Sequence, residues 1–134
     1  MNKKVIIIIS ILSCITAMGF AVFYFTSIVP ANKIMVEVRN IEIADIDLEQ
    51  IADGNYVGEF SYSKSHCKVE VVVRGHKIDN IVVLESGKNN HAKKAEAVLK
   101  KIIEKQKTNV DVIAGATTTS KALLRAVETA LSKQ

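Results

Sequence analysis

The chain has 134 residues, of which 49% are hydrophobic, and a formal net charge of +4. Two of its 18 basic residues, Lys3 and Lys4, precede a long apolar run, and the others nearly balance 14 acidic residues. No basic stripe is left for nucleic acid, and with no Trp and only 5% aromatic residues there is no base-stacking platform either. The residues beyond the apolar run suffice for one compact domain and not for two.

Val5–Val29 carries no charge and is longer than the about 20 residues that cross a bilayer as a helix. A cleaved secretory signal has an apolar run of only about 7–15 residues, although Val29-Pro30-Ala31 resembles a cleavage site. Lipidation at Cys14, after Ile11-Leu12-Ser13, calls for a polar tether next, whereas the apolar run continues. An uncleaved anchor is therefore expected, with residues 1–30 as cytoplasmic tip and single transmembrane helix. Lys3 and Lys4 hold the short end in the cytoplasm and place Pro30 onward outside the cell membrane, a bias that Lys33 and Arg39 weaken. Cys14 in the span and Cys67 in the outer domain cannot meet within one chain.

Residues 31–46 read as a connecting segment and 47–134 as the folded domain. Ile34, Val36 and Val38 alternate, with Ile41, Ile43 and Ile46 continuing, which predicts a strand leading from the membrane. Asp53-Gly54-Asn55 signals a turn, and Tyr56–Ser63 reads as a strand with Tyr56, Gly58, Phe60 and Tyr62 on one face. Cys67, Val69, Val71 and Val73 share a face of the next strand, and Arg74-Gly75-His76-Lys77 connects it to a third, Ile78–Leu84. The period then changes. After a polar loop, Glu85–Asn90, apolar residues recur at helical spacing through Ala95, Val98, Leu99, Ile102 and Ile103, and a second helix follows through Leu123, Val127 and Leu131. The expected class is α+β: an antiparallel β-meander followed by two helices, preceded by one N-terminal transmembrane helix.

Between the two helices lies Asp111-Val112-Ile113-Ala114-Gly115-Ala116-Thr117-Thr118-Thr119-Ser120. A Gly-Ala turn opening into hydroxyl residues at a helix start suits a phosphate, because free backbone N–H groups and the helix dipole point outward there. An ordinary N-cap by one of the hydroxyls explains the same pattern. Elsewhere, Cys67 reads as a buried structural thiol, and His66, His76 and His91 lack metal-ligand spacing. Lys88, His91, Lys93 and Lys94 read either as positive charge near a ligand phosphate or as a solvated helix face.

Asp111-x-x-Ala114-Gly115-Ala116-Thr117 resembles the flavinylation motif of the FMN-binding domain family, which includes the G subunit of the Rnf electron-transport complex and the C subunit of the sodium-translocating NADH:quinone reductase. Asp53-Gly54-Asn55-Tyr56-Val57-Gly58 is similar to the opening of these domains, the Val69–Leu84 hairpin to their central strands, and Lys93-Lys94-Ala95-Glu96 and Gln106 to features of small single-domain members. The resemblance implies FMN carried covalently, as a phosphoester on Thr117, installed from FAD by a magnesium-dependent flavin transferase. It implies a cofactor site of Asp111, Gly115, Ala116, Thr117, Thr118, Thr119 and Ser120. Ala114 departs from the pattern, which has Ser or Thr there, and so removes a hydroxyl near the acceptor.

The function implied is electron transfer at the membrane surface, with membrane redox proteins as donor or acceptor. No Gly pattern for a nicotinamide is present and no hydrolytic constellation, so a self-sufficient enzyme is not expected. Two other readings stand beside it: a non-redox extracytoplasmic binding module, which would not require Thr117 and its Gly115-Ala116 lead-in, and an FMN-dependent regulatory sensor.

Overall fold

The computed structural model describes residues 2–132. The chain separates into two compact units, one ending at Ile34 and the other beginning at Met35.

In the first unit, α1 (Lys3–Phe23) is apolar on all sides and has no buried residue. A π-helical turn, Tyr24–Ile28, connects it to α2 (Val29–Arg39). Pro30, the second residue of α2, has no N–H to give to Thr26 and its ring would crowd that carbonyl, so a widened turn just before it is the usual accommodation. The helical backbone over Lys3–Arg39 includes an 18-residue window of mean hydropathy 2.6, none of it buried, and is long and apolar enough to cross a membrane.

The alternating residues Ile34, Val36 and Val38 lie in α2 and not in a strand. The same residues satisfy a helical period, with Ile34 and Val38 four apart on one face, and extending an existing helix is cheaper than starting another element. Only Val38 of α2 is buried. Beyond it the backbone runs without regular structure to a short 3-10 turn, Leu48–Gln50. Ile43, Leu48 and Ile51 are buried along this stretch. It is also held by polar ties: buried Thr108 donates its hydroxyl to the Ala44 carbonyl at 2.6 Å and accepts from the Ile46 N–H at 3.2 Å, and Lys121 Nζ donates to the Ile41 carbonyl at 2.8 Å.

β1 (Gly54–Tyr62), β2 (Ser65–Arg74) and β3 (Lys77–Glu85) form an antiparallel sheet in sequence order, with Gly58 opposite Val69 and Val71 opposite Ile81. The β2–β3 turn is built on Gly75 and His76, both at positive φ (59° and 58°), as a primed hairpin turn requires. Asp53 serves this turn. Its carboxylate accepts from the His76 N–H at 3.4 Å, and bonds from the Gly75 and His76 N–H groups hold its carboxyl below the usual value of 3.8. His76 Nδ1–H in turn donates to the Ile51 carbonyl at 2.9 Å.

Cys67, Val69, Val71 and Val73 project from one face of β2 and are all buried, as their alternation predicts. Burial pushes the Cys67 thiol up, which suits a packing residue and not a nucleophile. Three helices follow, α3 (Asn90–Ala95), α4 (Ala97–Lys105) and α5 (Thr117–Ser132); α5 lies against β1 and β2, α4 against β3, and α3 packs on the other two helices. The first of the two expected helices is thus divided at Glu96, where the Leu99 N–H donates to the Glu96 carbonyl three residues back and tightens the turn. α5 supplies the largest buried set, including Ala122, Leu123, Leu124, Ala126 and Val127. It lies so close to β1 that a Cβ on Gly58 would collide with the Ala126 carbonyl oxygen. Gln106, in the left-handed conformation (φ 52°), ends α4. Its amide accepts from the Ile78 N–H at 2.8 Å and donates to the carbonyls of Ile78 and Ile103, tying α4 to the start of β3.

Candidate functional site

The motif loop is shaped by one glycine. The Ala116 N–H donates to the Ile113 carbonyl at 3.0 Å, closing a four-residue turn whose third position, Gly115, has φ 78°. A type II turn requires that positive φ. From α3, His91 Nδ1–H donates to the Gly115 carbonyl at 3.1 Å, and Lys94 Nζ stands 3.2 Å from where a Gly115 Cβ would be.

The turn delivers the chain directly into α5. Ser120 N–H bonds to the Ala116 carbonyl at 2.8 Å, so the N–H groups of Thr117, Thr118 and Thr119 precede the first intrahelical bond. Among the described residues none of the three has a protein partner.

Helical geometry gives the four consecutive hydroxyls different neighbours. Ser120 is fully buried and its Oγ accepts from the Ile113 N–H at 3.2 Å, which fixes the motif loop and keeps it off the ligand side. Thr118 Oγ1 accepts from Arg39 Nε at 2.9 Å. Thr119 Oγ1 lies 3.4 Å from the Tyr62 hydroxyl. Thr117, half-buried at the first position of α5, has a hydroxyl with no protein partner among the described residues.

Thr117, Thr118 and Thr119 line a cleft of about 440 Å³ together with Gly115 and Ala116, within the range typical of small-molecule sites. Five of the seven sequence-predicted residues therefore come together at this cleft. Ser120 supports it from behind. Asp111 is exposed, does not line it, and meets Lys101 Nζ through its main-chain carbonyl at 3.2 Å. Ala114 is exposed at the turn.

The opposite walls come from residues that the sequence did not single out. They are Met35 and Arg39 of α2, Tyr62 at the end of β1, Ser65 and Asn89; His91 of α3, one of the basic residues the sequence offered, lines the cleft as well. Tyr62 is buried, and its ring stacks on Phe60 with centroids 6.2 Å apart. Neither Arg39 nor Lys94 has a carboxylate within ion-pairing distance among the described residues. The alternation of β1 signals that Tyr62 shares the face of Tyr56, but nothing local links Arg39 to a helix 79 residues away.

An FMN phosphate fits these groups. Three N–H donors without a protein partner among the described residues sit at the positive end of a 16-residue helix, Arg39 and Lys94 stand near them with no carboxylate paired to either among those residues, and Tyr62 and Met35 supply apolar surface. A larger apolar hollow of about 520 Å³ along Ser10–Val22 is formed by the side chains of α1 alone and is surface relief of that helix.

No curated protein matches the chain. The model of the FMN-binding domain family matches residues 63–132, from the β1–β2 turn to the end of α5, just over half the chain. The protein belongs to the FMN-binding domain family.

Proposed function

We propose that Thr117 carries FMN as a phosphoester and that the domain is an electron carrier fixed at the extracytoplasmic face of a membrane. The observation that supports the covalent link best is the division of labour among the hydroxyls. Of four in a row, Ser120, Thr118 and Thr119 face protein partners, and the one left free on the cleft is Thr117. Its Oγ would attack the FMN-side phosphorus of FAD, the pyrophosphate P–O bond would break, AMP would leave, and the hydroxyl proton would pass to solvent. A flavin transferase supplies the magnesium and the base, and the N–H groups of Thr117–Thr119 take up phosphate charge.

Bound flavin supplies electron transfer in single or paired steps, while the protein positions and tunes it. The exposed, apolar helix Lys3–Arg39 supports a membrane anchor, and Lys3 and Lys4 support a cytoplasmic N-terminus. Outside the cell a dissociated cofactor would be diluted away, which favours an ester. Membrane redox proteins are the natural donors and acceptors for a flavin held at that height.

The test is co-expression with a flavin transferase followed by intact-mass measurement. A gain of FMN less one water is expected, absent in Thr117→Ala, with fragment ions placing the flavin on Thr117 and not on Thr118 or Thr119. An unmodified protein beside a flavinylated positive control would refute the ester. Protease treatment of intact cells checks sidedness separately, and protection of residues 35–132 would refute the outside location.

A further inference from the structure

Arg39 lies before the stretch that matches the family, at the last residue of α2, yet it lines the same cleft as Thr117. Its Nε donates to Thr118 Oγ1 at 2.9 Å. A guanidinium offers five N–H donors in a rigid fork, and here only the one on Nε has a partner among the described residues. Among the described residues no carboxylate neutralises it. Two simpler roles exist. A cation in the last turn of a helix complements its dipole, and one hydrogen bond to Thr118 ties α2 to α5. The first needs no particular direction of the side chain, and the second needs a single donor, so neither accounts for an uncommitted fork on the wall of an anion site.

We propose that Arg39 is a ligand of the flavin phosphate. Thr118 holds Nε, and the two Nη groups are the donors available to phosphate oxygens, a pairing for which the planar fork of Arg is suited and the point charge of Lys is not. The site is then completed by the last residue of α2, and the end of α2 is part of the binding machinery. A fragment that begins at Asp47 would lack this ligand. The assignment rests on the FMN reading of the cleft and adds a specificity: Arg39 recognises the phosphorylated flavin and is indifferent to riboflavin.

The experiment uses the full chain in detergent carrying Thr117→Val, so that flavin binds reversibly, and titrates FMN and riboflavin by quenching of flavin fluorescence. Arg39→Ala should weaken FMN by about tenfold or more, the size expected for a charge-assisted hydrogen bond, and leave riboflavin unchanged. Arg39→Lys should recover part of the loss. Equal weakening of both ligands would overturn the proposal, because it would mark Arg39 as a structural tie, and an unchanged FMN affinity would overturn it as well. The riboflavin titration also reports whether the variant is folded. If the Thr117→Val parent itself shows no preference for FMN over riboflavin, the phosphate site falls and Arg39 with it. A parent that prefers FMN beside an Arg39→Ala variant with the same preference removes Arg39 alone.

Discussion

Gly58→Ala tests the close seating of α5 on β1. A Cβ at position 58 would overlap the Ala126 carbonyl oxygen and stand 2.5 Å from the Ala130 nitrogen and 2.8 Å from the Ala130 Cβ. Two of these three atoms are helix backbone, which cannot rotate aside, so either α5 or β1 must move. Overpacking of this kind costs about 1–3 kcal/mol, and rigid neighbours put this case near about 3 kcal/mol. Reduced freedom of the unfolded chain returns about 0.4–1 kcal/mol for a Gly to Ala change. The net loss is about 2 kcal/mol, equivalent to a fall in melting temperature of roughly 8–16 °C for a domain of this size. Far-UV circular dichroism of the full chain in a mild detergent measures it. Adding Ala130→Gly should recover only a fraction, since the Ala126 oxygen remains. A midpoint that does not move in Gly58→Ala would refute the close approach, and with it the placement of the helix that begins at Thr117.

Removing the Gln106 amide strips the Ile78 N–H and carbonyl of their partner beside a fully buried side chain, so Gln106→Ala should cost about 2–4 kcal/mol and speed hydrogen exchange at the Ile78 amide. Asp53 has its carboxyl held below 3.8 in the fold by the Gly75 and His76 N–H groups. Its contribution is therefore complete above that value and lost as pH falls through the lower folded value. Acid unfolding of Asp53→Asn should accordingly show a shallower pH dependence below about pH 4, and identical curves would contradict this. Ala114→Thr restores a hydroxyl to an exposed position of the motif turn, and the rate of flavinylation by a transferase, read by intact mass over time, should rise if that hydroxyl aids recognition of the acceptor.

The sheet was legible because one of its faces is dry. Cys67, Val69, Val71 and Val73 repeat every second residue, and all four are buried; Gly75 and His76 mark the turn that the register then confirms. Ile34, Val36 and Val38 misled because spacings of two and four coincide over so short a run, and the helix already present upstream decides the matter by propagation. The break at Glu96 left no trace in the apolar pattern, since Ala95, Val98, Leu99 and Ile102 are buried on either side of it. At the site, the motif loop is local in sequence and was readable as a helix N-terminus preceded by a glycine turn. The opposing wall is not local. Tyr62 reaches the cleft through the packing of β1 against α5, and Arg39 through a long side chain that bonds Thr118, which no spacing within the motif encodes.

The motif also shows why a hydroxyl-rich run need not be redundant. Successive residues of a helix point about 100° apart, so four hydroxyls in a row cannot face one ligand. Ser120 is turned into the core, where it braces Ile113; Thr118 and Thr119 face Arg39 and Tyr62, which come from other elements; Thr117 alone of the four keeps an oxygen unshared among the described residues. If Thr117 bears the ester, the neighbouring contacts change their role. Arg39 is exposed, and hydrogen bonds that compete with water hold a free cofactor reversibly, whereas an ester does not let it dissociate. Once the ester supplies retention, the same N–H groups and cations no longer decide occupancy. What they continue to set is the orientation of the phosphate and the field around the flavin, which are the properties an electron carrier has to hold constant between one partner and the next.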